Sequence, residues 1–464
     1  MEDFVGVINI GPSYAFDGES CIISGGKKAL EMGTKTIKVQ LSPAYTAWYQ
    51  PNIKWAGNFY HTPKELAAGA EFKPLWDMDF HTFFVAAYQL TIPYPEYAKW
   101  FRNGVTEKTL QNEYNAIYDL ACWFLTEYKG SGKTFVIQNW EGDWACMDES
   151  NPEYDPSDEV FDNLIQWINV RQQAVEQARQ DVGTDGVQVY NMLEVNLVQK
   201  AMRGRPTVTN NVIPHTSCDF YSYSCYELAS DHAYAAALDY LRSKVEESGK
   251  GKDAQLVIGE FGLPESSGES HINADRAIRI AREKGYSHVL YWTLFSTEGS
   301  AGMQLIRKDG SYSPAGDVLY WYLNGEHAPD QKAEVPRMVC TPTSDGSIGL
   351  ELVSEEGLQQ IKVNGQTGAG NKKVTLRPTS DYFADLCGTF DAQLEIKLHS
   401  NGSKVKITWN TNEGLKTKEL TLSNSDAWTT YEIQLEGAVM KPPYVELEAV
   451  EGDGVFVRRA QIND

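Results

Sequence analysis

Phe135-Val136-Ile137-Gln138-Asn139 is a short, mostly apolar run entered through Gly130-Ser131-Gly132 and left through Trp140-Glu141-Gly142. A polar stretch follows. Phe161, Leu164, Ile168, Val175 and Ala178 then recur at roughly helical spacing until Gly183 closes the pattern. This unit of strand, loop and amphipathic helix decides the fold because it repeats. Further runs of the same kind are Phe4–Ile10, Thr36–Leu41, Thr82–Tyr88, Val187–Leu193, Asp219–Tyr223, Leu256–Gly259 and Val289–Leu294. They are apolar almost throughout, as parallel strands covered on both faces must be.

Helical periodicity fills several intervals. Leu110, Tyr114, Ile117, Ala121 and Leu125 follow the third strand, and Ala233, Ala236, Tyr240 and Val245 the sixth. Ala274–Glu283 follows the seventh and Ala315–Leu323 the eighth. The rhythm predicts an α/β chain whose residues 1–328 form a (β/α)8 TIM barrel. A doubly wound sheet would carry a glycine-rich turn after its first strand, and Gly11-Pro12-Ser13 is not one.

The texture changes at Gly325–Ala333, a polar linker. In residues 334–464, Ala392–His399, Lys404–Asn410, Tyr431–Leu435 and Tyr444–Ala449 alternate with period two between turn-forming clusters. This predicts a C-terminal antiparallel β-sandwich. Ala427–Leu435 and Gly454–Ile462 resemble the closing strands of jelly-roll carbohydrate-binding modules. Such accessory domains often only brace a barrel.

Bulk properties narrow the function. The 464 residues hold 41 basic and 63 acidic side chains, a net charge of −22, so nucleic acid and anionic lipid are poor partners and a neutral substrate fits better. With 12 Trp and 25 Tyr, the chain has many flat faces suited to sugar rings, although such residues also fill cores. No apolar run has the length of a membrane span, and a monomer is expected. Met1-Glu2-Asp3-Phe4-Val5-Gly6 lacks a leader's pattern; that fits a cytoplasmic protein, or a secreted or periplasmic one whose leader has been removed. Seven scattered cysteines oppose a disulfide framework; Cys340 and Cys387 either pair or stay free.

Two carboxylates stand where barrel strands end, the usual place for catalytic groups. Glu141 follows the fourth strand and Glu260 the seventh. Hydrolysis of a glycosidic bond needs such a pair, one protonating the leaving oxygen and one attacking or stabilising the anomeric centre. A gap of about 5–5.5 Å gives retention and a wider one inversion. Burial beside Trp140 and Trp144 favours a protonated acid. Glu194 ends the fifth strand in the same manner and is a candidate substrate contact.

These segments together resemble the clan A glycoside hydrolases. Gly259-Glu260-Phe261-Gly262 is similar to that clan's nucleophile segment, and Asn139-Trp140-Glu141 to its Asn-Glu, with a Trp inserted. The resemblance implies Glu260 as nucleophile, Glu141 as acid/base and Asn139 as a substrate contact, with Asp143 sharing the site. It also implies a sixth-strand tyrosine that orients the nucleophile, Tyr226 or else Tyr223, and Trp292 as the floor of the sugar subsite. Trp140 and Trp144 are read as stacking residues. The second strand, Ile37-Lys38-Val39-Gln40, lacks the Arg that many clan members carry there.

The expected activity is therefore retaining cleavage of a β-linked glycan without cofactor or metal. The eight histidines show no ligand spacing, and His215 and His232 read as structural or substrate contacts. Gly130-Ser131-Gly132-Lys133-Thr134 resembles a phosphate loop, but it precedes a strand, and position 127 is Glu where a Gly is required. Two rival readings remain: a glycan-binding protein on a degenerate barrel, and a metal-assisted hydrolase. The aromatic stretch Ser42–Asp79 and the stretch Asn196–Cys218 are expected as long loops shaping the cleft.

Overall fold

The computed structural model describes residues 1–53, 55, 59–147, 151–297, 302–329, 338–344, 346–387, 389–400, 404–423 and 427–463. They form two compact units, one built on Met1–Ala229 and Ala233–Gln331, the other on Ser230–His232 and Lys332–Asp464.

Eight parallel strands close the first unit into a barrel. They are β1 (Val5–Ile8), β2 (Thr36–Leu41), β3 (Thr82–Ala87), β4 (Thr134–Gln138), β5 (Gln188–Val195), β6 (Phe220–Ser224), β7 (Gln255–Phe261) and β8 (His288–Tyr291). The ring closes where Val5, Gly6 and Val7 pair with Val289, Leu290 and Tyr291. A side chain at Gly6 would meet Leu290 Cδ2 at 2.4 Å, so the closure needs glycine there. Ile8, Phe84, Val136, Met192, Phe220, Val257 and Leu290 fill the interior with an apolar layer, a packed core rather than a pore.

The helices follow the expected periodicity with defined caps. Ser157 accepts from the Val160 N–H to start Asp158–Val182. Thr106 and Thr109 form a reciprocal capping box at Glu107–Glu127. Helix Cys21–Met32, which Gly33 ends with φ 102°, has no counterpart in the sequence reading, and neither does Asp381–Cys387. Two stretches read as cleft loops hold helices instead. Pro63–Ala68 and Lys73–Asp77 lie within the first, where Tyr49 and Trp76 are fully buried. Those two aromatics serve the core rather than a cleft. The other stretch contains Val198–Met202 and Val208–Asn211.

A buried ion pair ties the outer helices to the mouth of the barrel. Arg171 on Asp158–Val182 donates to Glu113 Oε1 of Glu107–Glu127 at 2.5 Å, to Ala87 O at 3.1 Å and to Gln138 O at 3.0 Å. One guanidinium thus fixes the carboxyl ends of β3 and β4, and Gln89 donates to the other oxygen of Glu113 at 2.6 Å.

Among the described residues of the second unit, eleven strands form one antiparallel sheet. Its two halves join through a single residue pair, Thr411 with Ala438. Period-two burial holds along Lys404–Thr411 and Val445–Ala449, where Val405, Ile407, Trp409, Val445, Leu447 and Ala449 all point inward. Cys21, Cys122, Cys146, Cys218, Cys225 and Cys340 are free thiols; the side chain of Cys387, the alternative partner of Cys340, lies outside the described residues. No helix among the described residues is long and apolar enough to cross a membrane.

Arg171→Met leaves the Glu113 charge buried and unpaired, which costs about 3–5 kcal/mol. Urea denaturation should show that loss, and Arg171→Met combined with Glu113→Leu should recover most of it. Additive losses in the double variant would contradict the pairing.

Candidate active site

Above the apolar layer the interior turns polar. Lys38 of β2, Gln138 of β4, Glu194 of β5, Ser222 of β6 and Glu260 of β7 all point inward, and all are buried. Glu260 reaches this position through a bulge. Tyr223 pairs with Ile258 but Ser224 with Glu260, and β8 likewise pairs Ile258 with Val289 and Phe261 with Tyr291. The extra residue in β7 re-aims the carboxylate that period-two alternation would have turned outward. Glu260 therefore lies within β7, and Glu194 within β5, rather than just beyond them.

Lys38 is fully buried, and its ammonium donates to Glu194 Oε2 and Glu260 Oε1, each at 3.0 Å. A further contact to Gly259 O at 3.3 Å uses its third proton. Trp140 Nε1 also donates to Glu260 Oε1, at 2.9 Å, and the Tyr226 hydroxyl donates to Oε2 at 3.1 Å. One oxygen of Glu260 is thus anchored twice, while the other carries only the tyrosine.

Glu141 begins the short helix Gly142–Ala145 with φ 46°, a left-handed conformation that is uncommon for a non-glycine residue and stores strain. Two acceptors hold it there. The Trp140 N–H donates to the buried Tyr88 hydroxyl at 2.7 Å, and the Glu141 N–H to Glu194 Oε1 at 3.2 Å. Among the described residues the Glu141 carboxyl accepts from Asn196 Nδ2, at 3.0 Å. Burial, then the negative charges of Glu260 and Glu194, push it well above the ordinary carboxylate value. Burial raises Glu260 too, but the adjacent Lys38 charge works in the opposite direction. Glu260 thus has a cation and two further donors, whereas Glu141, pushed further up, has one amide donor among the described residues.

The other expected residues divide. Tyr226 lies on Glu260, whereas Tyr223 is buried and donates to Glu227 at 2.6 Å, away from the pair. Trp292 lies in the core cluster under the mouth with Trp48 packed against that cluster, and its bond to Thr293 is cis. Trp144 is half-buried. Three expected substrate contacts serve the frame instead. Asp143 accepts from the backbone N–H groups of Asn196, Leu197 and Val208, at 2.8, 3.2 and 2.9 Å, holding the loop after β5. Asn139 Oδ1 accepts from the Glu194 N–H at 3.1 Å. Glu194, fully buried, accepts from Ser222, Lys38 and Gln138 on one oxygen. Its room comes from Gly259, where a Cβ would fall 1.9 Å from Ser222 Oγ and 2.3 Å from Glu194 Oε2.

Sequence reasoning missed Lys38, Ser222, Tyr88 and Asn196. Only Lys38 left a signal, a lysine inside the apolar run Ile37-Lys38-Val39. Exposed His215 and His232 lie outside this network. Among the described residues, one group of His, Cys, Asp and Glu side chains gathers within ligand reach. It is Glu2, Asp3 and His81, exposed at the amino ends of β1 and β3, the face opposite the mouth.

No family model and no curated protein matches the sequence. Solved structures with a similar course include a GH5-4 broad specificity endoglucanase from Clostridium longisporum, at 12% identity, TM-score 0.45, over 70% of this chain and 97% of that one. A family 5 xyloglucanase from Paenibacillus pabuli aligns at 11% identity, TM-score 0.46, over 69% and 98%. Endo-glycoceramidase II from Rhodococcus sp. aligns at 12% identity, TM-score 0.45, over 97% of both chains. The barrel assignment rests on the closed hydrogen-bonding pattern of the chain itself.

A carboxyl raised by its native surroundings makes stability fall as pH rises. Below its ordinary value of 4.5, Glu141 is protonated in both states and contributes fully. As pH climbs toward the raised native value, the unfolded chain sheds the proton that the fold retains. Glu141→Gln should therefore melt higher than the unsubstituted protein near about pH 8, with the gap closing toward about pH 4. A pH-independent gap would contradict the assignment of Glu141 as the buried acid.

Proposed function

We propose that this chain is a glycoside hydrolase cleaving a neutral β-linked glycan with retention, Glu260 as nucleophile and Glu141 as acid/base. The observation that carries the reading is the contrast between two neighbouring carboxyls. Glu260 accepts from Lys38, Trp140 and Tyr226, contacts that favour its charged form, while among the described residues Glu141 has one amide donor and no cation.

The chemistry follows from that contrast. Oε2 of Glu260, free but for the tyrosine, attacks the anomeric carbon while Glu141 gives its proton to the departing oxygen. Ester formation removes the Glu260 charge, one of the causes holding the Glu141 proton. Glu141 is then more acidic and takes a proton from the water that opens the ester. The two steps regenerate both carboxyls with no other reagent.

Substrate class is argued from the rim. Among the described residues of the barrel unit, the exposed aromatics are Phe59, Tyr94, Tyr154 and Tyr226. All four lie on loops that follow the carboxyl ends of strands, the face that carries Glu260. Flat residues spread around one mouth suit a polymer of neutral sugars, and a net charge of −22 disfavours an acidic one.

Saccharide capture without cleavage is the competing reading. In its favour, the Asn139 carbonyl oxygen is taken by the backbone N–H of Glu194 in β5.

A panel of neutral β-glucans and aryl β-glycosides separates the two. Glu260→Gln should remove cleavage of every substrate. Glu141→Gln should lower kcat/KM on glycans by about 10²–10⁴ but far less on glycosides of acidic phenols, which leave without a proton, while kcat falls on both because ester opening loses its base. Binding with no cleavage across the panel supports capture and overturns catalysis.

A further inference from the structure

Glu194 has the barrel-mouth position of a substrate contact but no exposure to substrate. Each of its oxygens is linked to a different half of the pair, one directly and one through Lys38. Oε1 accepts the backbone N–H of Glu141 at 3.2 Å, and Oε2 accepts from Lys38, whose other carboxylate is Glu260. Ser222 at 3.0 Å and Gln138 at 3.4 Å complete the shell of Oε2, so the carboxylate is satisfied entirely within the protein.

We infer that Glu194 is a positioning residue: through Lys38 and the Glu141 backbone it sets the charge state of both carboxyls. The inference rests on the reading of Glu141 and Glu260 as the working pair. Formal charge makes the point. With Glu141 protonated, Lys38, Glu194 and Glu260 carry +1, −1 and −1, and the set holds one excess negative charge. Removing the charge of Glu194 leaves Lys38 wholly to Glu260, and the set becomes neutral. Both carboxyls then lose a proton more easily. Removing Lys38 acts in the opposite direction on both.

The geometry also separates this role from simple packing. Glu194 fixes where Glu141 stands, because its carboxylate holds the N–H of a residue in left-handed conformation. Gly259 leaves the space in which Ser222 and Glu194 meet, one residue before the nucleophile. The titratable groups facing the set are Lys38 on β2, Tyr88 beyond β3, Glu141 beyond β4, and Cys225 and Tyr226 beyond β6. Lys38 is the one cation among them, so its division between two carboxylates decides the balance.

The test is a titration of the protein labelled with 13C at glutamate carboxyls, the Glu141 and Glu260 signals being identified from Glu141→Gln and Glu260→Gln. In Glu194→Gln, which keeps the side-chain shape, both midpoints should fall by about one pH unit or more, the size expected for a charge within a few ångströms. In Lys38→Gln both should rise. The opposite signs distinguish the bridge from a merely structural role, which moves neither midpoint in a folded variant. Unmoved midpoints, or shifts of the same sign in both variants, overturn the inference. On a cleavable glycoside, both limbs of the pH–rate profile of Glu194→Gln should move to lower pH together. An unsubstituted protein that cleaves nothing would count against the glycosidase reading alone, since the carboxyl titration decides the bridge by itself.

Discussion

One ammonium group carries the arrangement. Lys38 lies at 0% exposure inside a barrel, where an isolated charge is strongly unfavourable, and it is tolerable only because two carboxylates share it. Lys38 is the cation that both Glu194 and Glu260 accept from at that depth. The bulge in β7, the glycine at 259 and the inward turn of Ser222 all bring partners to this one contact. The polar layer of the mouth exists because the charges in it satisfy one another.

Glu141 is the group the layer leaves out. It receives no cation, its backbone is held in a strained conformation, and its proton is retained by burial and by the negative charges beside it. These are destabilising features concentrated on one residue, and the frame around it is correspondingly over-determined. Arg171 fixes the end of β4, Tyr88 the amide of Trp140, and Asp143 the loop that brings Asn196 to the carboxyl. Strain of this kind is characteristic of functional sites, where rigid surroundings hold a group in a state it would not choose.

Much of the fold was legible in the sequence, for a physical reason. Parallel strands covered on both faces read as continuous apolar runs, and a carboxylate at the end of such a run stands out, as Glu141 and Glu260 do. Residues whose meaning depends on cross-barrel partners were harder to read. Glu194 occupies the same kind of position as Glu260, but only the three-dimensional placement of Lys38 and Ser222 turns it from a substrate contact into a buried counter-charge. Asp143 reads as a site acid because it neighbours Glu141, yet its partners are amides more than fifty residues away. Tyr223 and Tyr226 are indistinguishable in a pattern of alternating tyrosines until one is seen on Glu227 and the other on Glu260. The stretch Ser42–Asp79 misled because its helices are short, four to six residues each, and leave no periodic stripe.

The central claim is that an ionised Glu260 attacks sugar while a protonated Glu141 assists. The most direct test is the anomeric form of the first reducing sugar released from a β-glycan, followed by proton NMR before mutarotation. Two displacements at one carbon predict the β form. Release of the α form means that water attacks directly and Glu260 acts as a base, which contradicts the account.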